Sequence, residues 1–200
     1  FAQITSVDED VKGLGQSRLF IASYVAADYA RRMDSRALPN DDVLHRLAEQ
    51  VGAALQAQHL MLATAESCTG GWIAKTITDI PGCSAWFDCG MAVYSYEAKQ
   101  ALLGVRPETL TEHGAVSRET VLEMARGART KLGADIAISV SGIAGPGGGL
   151  PEKPVGTTWI GLVAPNFERA EVFYWMGNRR ENKEESARAA MRMVIEYLEK

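Results

Sequence analysis

The run Leu60-Met61-Leu62-Ala63-Thr64-Ala65-Glu66-Ser67-Cys68-Thr69-Gly70-Gly71-Trp72-Ile73-Ala74-Lys75-Thr76-Ile77 sets two patterns end to end. Residues 60–65 are almost wholly apolar and short, as a buried strand is. Residues 72–77 open a helix, and the glycine pair before them frees the backbone to turn. Ser67 therefore falls at a strand-to-helix junction. In open α/β sheets such a junction, at the carboxyl end of a strand, faces the crevice where ligands bind.

Upstream, Asn40 or Asp41 caps a helix whose Val43, Leu44, Leu47, Val51 and Leu55 share one face. Downstream, Pro81-Gly82 is a turn, Trp86 to Tyr94 a second strand and Glu97 to Leu103 a short helix. Pro107 and Ser117 start two more helices, the second running to about Leu132. Ile136 to Val140 is a strand that leads into the glycine loop 141–149. Residues 155–164 and 170–176 alternate as an antiparallel hairpin around Pro165-Asn166. A closing helix carries Ala187, Met191, Val194, Tyr197 and Leu198 on its apolar face. The order predicts a three-layer α/β/α sandwich with a mixed, mainly parallel sheet and a late antiparallel hairpin. Residues 1–40 read as a helical extension centred on 17–32, leaving 41–200 as the main domain.

The 200 residues are 46% hydrophobic and 23% charged, ordinary for a chain with one real core. Lys and Arg total 21 against 25 Asp and Glu, for a net charge of -4. That balance argues against a broad nucleic-acid-binding surface, though not against a local pocket for one phosphate. Cys68, Cys83 and Cys89 show neither CxxC spacing nor a histidine cluster, so neither a zinc site nor a disulfide framework is expected. Reduced thiols in a cytoplasm are the simplest reading. No metal or cofactor is required by any Asp, Glu or His spacing. No apolar run approaches the roughly 20 residues that span a bilayer, and Asp8, Glu9 and Asp10 stand where a signal peptide is basic.

The junction suits three roles. Ser67 or Thr69 caps the helix, the helix start binds a phosphate, or Ser67 attacks a carbonyl beside an oxyanion hole. Cys68 is the rival nucleophile, because a thiol at a helix start has a lowered pKa, although a buried, inert cysteine beside a strand end is the commoner case. A serine needs a base, and none of His45, His59 and His113 is compelling. Tyr94-Ser95-Tyr96-Glu97-Ala98-Lys99 supplies an alternative. A desolvated Lys99 accepts the serine proton near neutral pH, and the Tyr94 hydroxyl relays or orients it. The ordinary alternative is a core tyrosine and a solvated lysine. Neither Tyr-x-x-x-Lys ending in Tyr94's partner nor Ser-x-x-Lys is formed here. The glycine loop lacks the Gly-Lys-Ser/Thr of a P-loop, and is either an anion cradle or a surface loop.

Five segments in order resemble one family: residues 63–71, Tyr94-Ser95 with Ala98-Lys99, residues 113–117, residues 141–149 and residues 153–157. This chain is similar to the CinA C-terminal-domain family over about residues 42–199. The best-described members are nicotinamide-nucleotide amidases. The resemblance implies hydrolysis of nicotinamide mononucleotide to nicotinate mononucleotide and ammonia, in pyridine-nucleotide recycling. It implies Ser67 as nucleophile with Tyr94 and Lys99 handling protons. Backbone around Cys68, Thr69, Gly70 and Gly71 would hold the oxyanion. Ser141, Gly142, Ala144, Gly145 and Thr157 would line the nucleotide pocket. The expected partner is a small-molecule nucleotide, with neither nucleic acid nor membrane, in a cytoplasmic homo-oligomer. Longer members carry a further N-terminal domain for which residues 1–40 are too few, so a stand-alone form is expected. The family's association with competence and DNA damage leaves a regulatory, nucleotide-binding role as the alternative.

Overall fold

In a computed structural model, residues 40–200 are described, and the expected helical extension before them lies outside the described residues. The elements run α1 Asn40–Gln58, β1 Leu62–Glu66, α2 Trp72–Thr78, a 3-10 turn Cys83–Ala85, β2 Phe87–Ala92, α3 Tyr96–Leu103, α4 Pro107–His113, α5 Arg118–Leu132, β3 Ile136–Gly142, β4 Thr157–Ala164, β5 Phe167–Tyr174 and α6 Arg179–Leu198.

The strands form one sheet in the order β2-β1-β3-β4-β5. β1 pairs in parallel with β2 and β3, and the hairpin β4–β5 adds antiparallel to β3. Alternating side chains feed two cores, one on each face. Leu62, Ile136, Ile138, Val140, Ile160 and Leu162 pack with residues of α1, α2 and α6. Ala63, Ala65, Ala137 and Val163 pack with residues of α3, α4 and α5. Each large aliphatic side chain taken from water in these layers contributes about 1.5–3 kcal/mol. The expected three-layer sandwich is the observed one.

Some element ends differ from expectation. β2 stops at Ala92, two residues short, and the chain crosses to α3 through Val93 and Tyr94. Trp86 stays outside β2, buried with its ring against Gly52, where a Cβ would stand 2.6 Å from a ring carbon. β5 starts at Phe167 because Pro165-Asn166 makes the whole turn, with Asn166 at φ 56.

Three helices begin on side-chain caps: Ser95 for α3, Ser117 for α5, and Asn178 with Glu181 in a capping box for α6. α2 begins on Gly71 at φ 91 and has no side-chain cap at that position. Its orphan amides must find another acceptor. That requirement shapes the site.

Candidate active site

β1 lies between β2 and β3, and the chain just past its end is stitched to both sides. Ser67 N donates to Val140 O at 2.9 Å, and Val93 N donates to Glu66 O at 2.8 Å. The chain leaves β1 for β2 on one side and later returns to β3 on the other, so Ser67 stands at the sheet's switch point. Alternation sends Glu66 toward α2 and Ser67 toward the layer of α3. The Ser67 side chain is buried.

Lys99, on the first turn of α3, is wholly buried. Its Nζ lies 2.9 Å from Ser67 Oγ, 2.9 Å from Val93 O and 2.8 Å from Tyr94 O. Desolvation lowers its pKa from 10.5 to about 8, and an ionised Cys68 would only partly oppose this. A neutral amine has two hydrogens and one lone pair. The two main-chain carbonyls take the hydrogens, which leaves the lone pair for the Ser67 hydroxyl. The solvated-lysine alternative is thereby excluded.

Tyr94 differs from expectation. Its main-chain carbonyl, not its hydroxyl, meets Lys99, and its side chain is 70% exposed. Val93 beside it is fully buried, so alternation turns the Tyr94 ring outward. A hydroxyl relay between Tyr94 and Lys99 is not formed.

Glu66 meets the need of α2. Its carboxylate accepts from Gly71 N at 3.0 Å, Ile73 N at 3.1 Å and Ala74 N at 2.9 Å, and Thr64 Oγ1 approaches at 3.4 Å. Glu66 is itself 1% exposed. An acid of the chain thus occupies the place where a helix start binds an external anion. Two expectations change. The helix start is closed to a substrate phosphate, and the Gly71 amide is spent and unavailable to an oxyanion. Of the expected donor group, Cys68 and Thr69 stand outside this clasp, on the chain directly after Ser67.

Cys68 is buried, and its burial pushes the thiol up to about 12. Desolvation outweighs the helix-start effect that sequence reasoning invoked, since Glu66 already neutralises that end of α2. The thiol is therefore held in its neutral form, which disfavours it as the nucleophile. Thr69 is 1% exposed, and its Oγ1 has no hydrogen-bond partner among the described residues. Gly70 and Gly71 sit at φ 67 and 91, a left-handed turn that glycine adopts without strain.

Ser141 is buried at the end of β3, and alternation puts it on the same face as Ala137, toward Ser67. Gly142 is pressed against β4, where a Cβ would meet Thr158 Oγ1 at 2.5 Å. The glycine loop is tied to α6: Asn182 Nδ2 donates to Ala144 O at 3.1 Å and Arg179 NH1 to Gly145 O at 2.9 Å. Thr157 Oγ1 donates within the loop to Pro154 O at 2.7 Å. The structure thus joins Ser67 to Lys99 directly and sets Ser141 beside them on the next strand.

Glu66, Lys183, Arg179 and Asn182 were not assigned from sequence. Glu66 had a signal: a helix starting on Gly-Gly lacks a capping side chain, and the nearest acid is the candidate acceptor. Lys183 had none, because its contacts join α6 to a turn more than a hundred residues away.

Fold and site define an α/β sandwich that presents a buried serine–lysine pair at the carboxyl edge of its sheet. The CinA C-terminal domain matches residues 44–198, and the chain belongs to that family. Nicotinamide-nucleotide amidohydrolase PncC of Escherichia coli (strain K12) is 57% identical over 128 residues, covering 64% of this chain and 78% of that protein. The protein of the same name from Enterobacter agglomerans is 59% identical over 120 residues, covering 60% and 73%. Among solved structures, a competence-damaged protein (CinA) superfamily member of Klebsiella pneumoniae aligns with a TM-score of 0.76 at 39% identity, over 78% of this chain and 98% of that one. The competence/damage inducible protein CihA of Agrobacterium tumefaciens aligns at 0.76 with 42% identity, over 83% and 100%. These relatives carry both the amidohydrolase and the competence names that the resemblance implied.

Proposed function

We propose that this chain hydrolyses the carboxamide of nicotinamide mononucleotide to nicotinate mononucleotide and ammonia, with Ser67 as nucleophile and Lys99 as general base. The observation that carries the reading is the 2.9 Å contact between Lys99 Nζ and Ser67 Oγ, with the amine held near pH 8 by burial. The names and identities of the relatives support the substrate.

In the first half-reaction the neutral Lys99 amine takes the Ser67 hydroxyl proton as Oγ bonds to the carboxamide carbon. The carbonyl electron pair moves to oxygen, which the Cys68 amide directly after the nucleophile stabilises. The tetrahedral adduct collapses, and the Lys99 ammonium gives its proton to the departing nitrogen, which leaves as ammonia. In the second half, Lys99 takes a proton from water as that water attacks the Ser67 ester. Collapse returns the proton to Ser67 Oγ and frees the carboxylic acid. The Val93 and Tyr94 carbonyls orient the amine throughout. Ser141, Gly142, Ala144, Gly145 and Thr157 border the nucleotide pocket in this reading. The reaction would serve pyridine-nucleotide recycling in the cytoplasm, in a homo-oligomer.

The test is product identity. Nicotinamide mononucleotide incubated with the protein should yield nicotinate mononucleotide and ammonia in equal amounts. Release of free nicotinamide would show glycosidic cleavage, and an unchanged substrate would favour a nucleotide-binding regulatory module. Either result overturns the proposal.

A further inference from the structure

Lys183 is a cation that the reaction above does not use. It stands in the second turn of α6 and is half-buried. Its Nζ lies 5.8 Å from the centre of the Trp72 ring and 3.7 Å from the place a Cβ on Gly70 would occupy. Its charge acts on the Cys68 sulfur, beside the nucleophile. Glu184 and Glu185, the acids that follow it, are held by Arg188. No carboxylate pairs with Lys183 among the described residues. A surface lysine usually extends its ammonium into water. This one is folded back over Trp72 and the Gly70 turn.

The same turn holds the buried Thr69 hydroxyl, which has no hydrogen-bond partner among the described residues. Buried polar groups are nearly always satisfied, so this one calls for a partner beyond those residues. Gly70, at φ 67 and without a side chain, leaves open the approach between the turn and Lys183. The base of Lys183 is rigid. Asn182 is buried, donates to Ala144 O and accepts from Gly177 N at 2.9 Å, and Arg179 one turn earlier is tied to Gly145 O. The cation is thus held between the glycine loop and the nucleophile turn.

We propose that Lys183, with the Thr69 hydroxyl and the open turn at Gly70, seats the phosphate of the substrate and sets a preference for the mononucleotide over the riboside. The inference rests on the amidase reading for the identity of the substrate. Gly70 is three residues past Ser67, so the chain between them spans at most about 11 Å. The carboxamide and the phosphate lie at opposite ends of a nicotinamide nucleotide, as a nucleophile and a separate cation require. A charge-assisted contact to a point-like ammonium suits a phosphate dianion. The closed start of α2 cannot serve, because Glu66 fills it.

The experiment compares wild type, Lys183→Met and Lys183→Arg. It measures kcat/KM on nicotinamide mononucleotide and on nicotinamide riboside, and calorimetric binding of ribose 5-phosphate. Lys183→Met should lower the mononucleotide-to-riboside ratio by roughly 10- to 100-fold and weaken ribose 5-phosphate by a similar factor. Lys183→Arg should restore most of both. An unchanged ratio overturns the proposal. So does an equal loss on both substrates, which would place Lys183 at the reacting carbonyl instead. If wild type turns over neither substrate, the amidase reading falls. The ribose 5-phosphate measurement then decides, and binding that is absent or is not weakened by Lys183→Met overturns the phosphate seat.

Discussion

Lys99 Nζ and Ser67 Oγ stand 2.9 Å apart although 32 residues separate them in the chain. The parallel ladder β1–β2 brings the two together. Ser67 leaves the end of β1, the chain returns through β2, and α3 starts at the same edge of the sheet with Lys99 turned inward. Among the described residues the lysine has no carboxylate at its Nζ. Two carbonyls and one hydroxyl are its neighbours.

The rate should therefore follow the neutral amine. Burial lowers the Lys99 pKa to about 8, so kcat/KM should rise about tenfold per pH unit below that value and level off above it. Initial rates from pH 6 to pH 9.5 check this. A flat profile across that range removes Lys99 as the base.

Lys99→Met should lower turnover by about 10²- to 10⁴-fold. It should also change how stability depends on pH. The folded pKa is about 8 and the ordinary value 10.5, so between them the unfolded chain binds more protons. The wild type then gains stability as pH rises from about 8 to 10.5, by about 3 kcal/mol in all. The variant lacks this term. Urea unfolding of both proteins at pH 7 and pH 10.5 should show the gap between them shift by that amount, and parallel behaviour would contradict a buried, desolvated lysine.

Glu66→Ala should cost about 3 kcal/mol or more, because the amides of Gly71, Ile73 and Ala74 lose their acceptor together. Glu66→Gln should lie between, since an amide offers one acceptor oxygen and turns a donor toward the same N–H groups. Chemical denaturation measures both. Equal stability of Glu66→Ala and wild type would mean that the start of α2 is capped in another way.

Much of the architecture was legible because its signals are local. The apolar runs of β1 and β3 and the helix start at Ser117 marked their elements directly. The position of Ser67 at a strand end followed from the adjoining glycines. The direction of Lys99 did not, since a lysine on an eight-residue helix reads equally as solvated, and only its contacts with Ser67 Oγ and the Val93 and Tyr94 carbonyls show it turned inward. Tyr94 was misread through its side chain. A buried Val93 forces the next residue outward, so only the main chain of Tyr94 reaches the amine. Burial also decided between the two readings of Cys68 in favour of the inert one, since its surroundings exclude water more strongly than the helix start favours a thiolate.

The most direct measurement is ammonia release from nicotinamide mononucleotide by wild type, Ser67→Ala and Cys68→Ala side by side. Ser67→Ala should lose at least about 10³-fold in kcat. Cys68→Ala keeps the main-chain amide and should retain most of its turnover. Wild-type rates from Ser67→Ala, or abolition by Cys68→Ala alone, would contradict a serine nucleophile activated by Lys99.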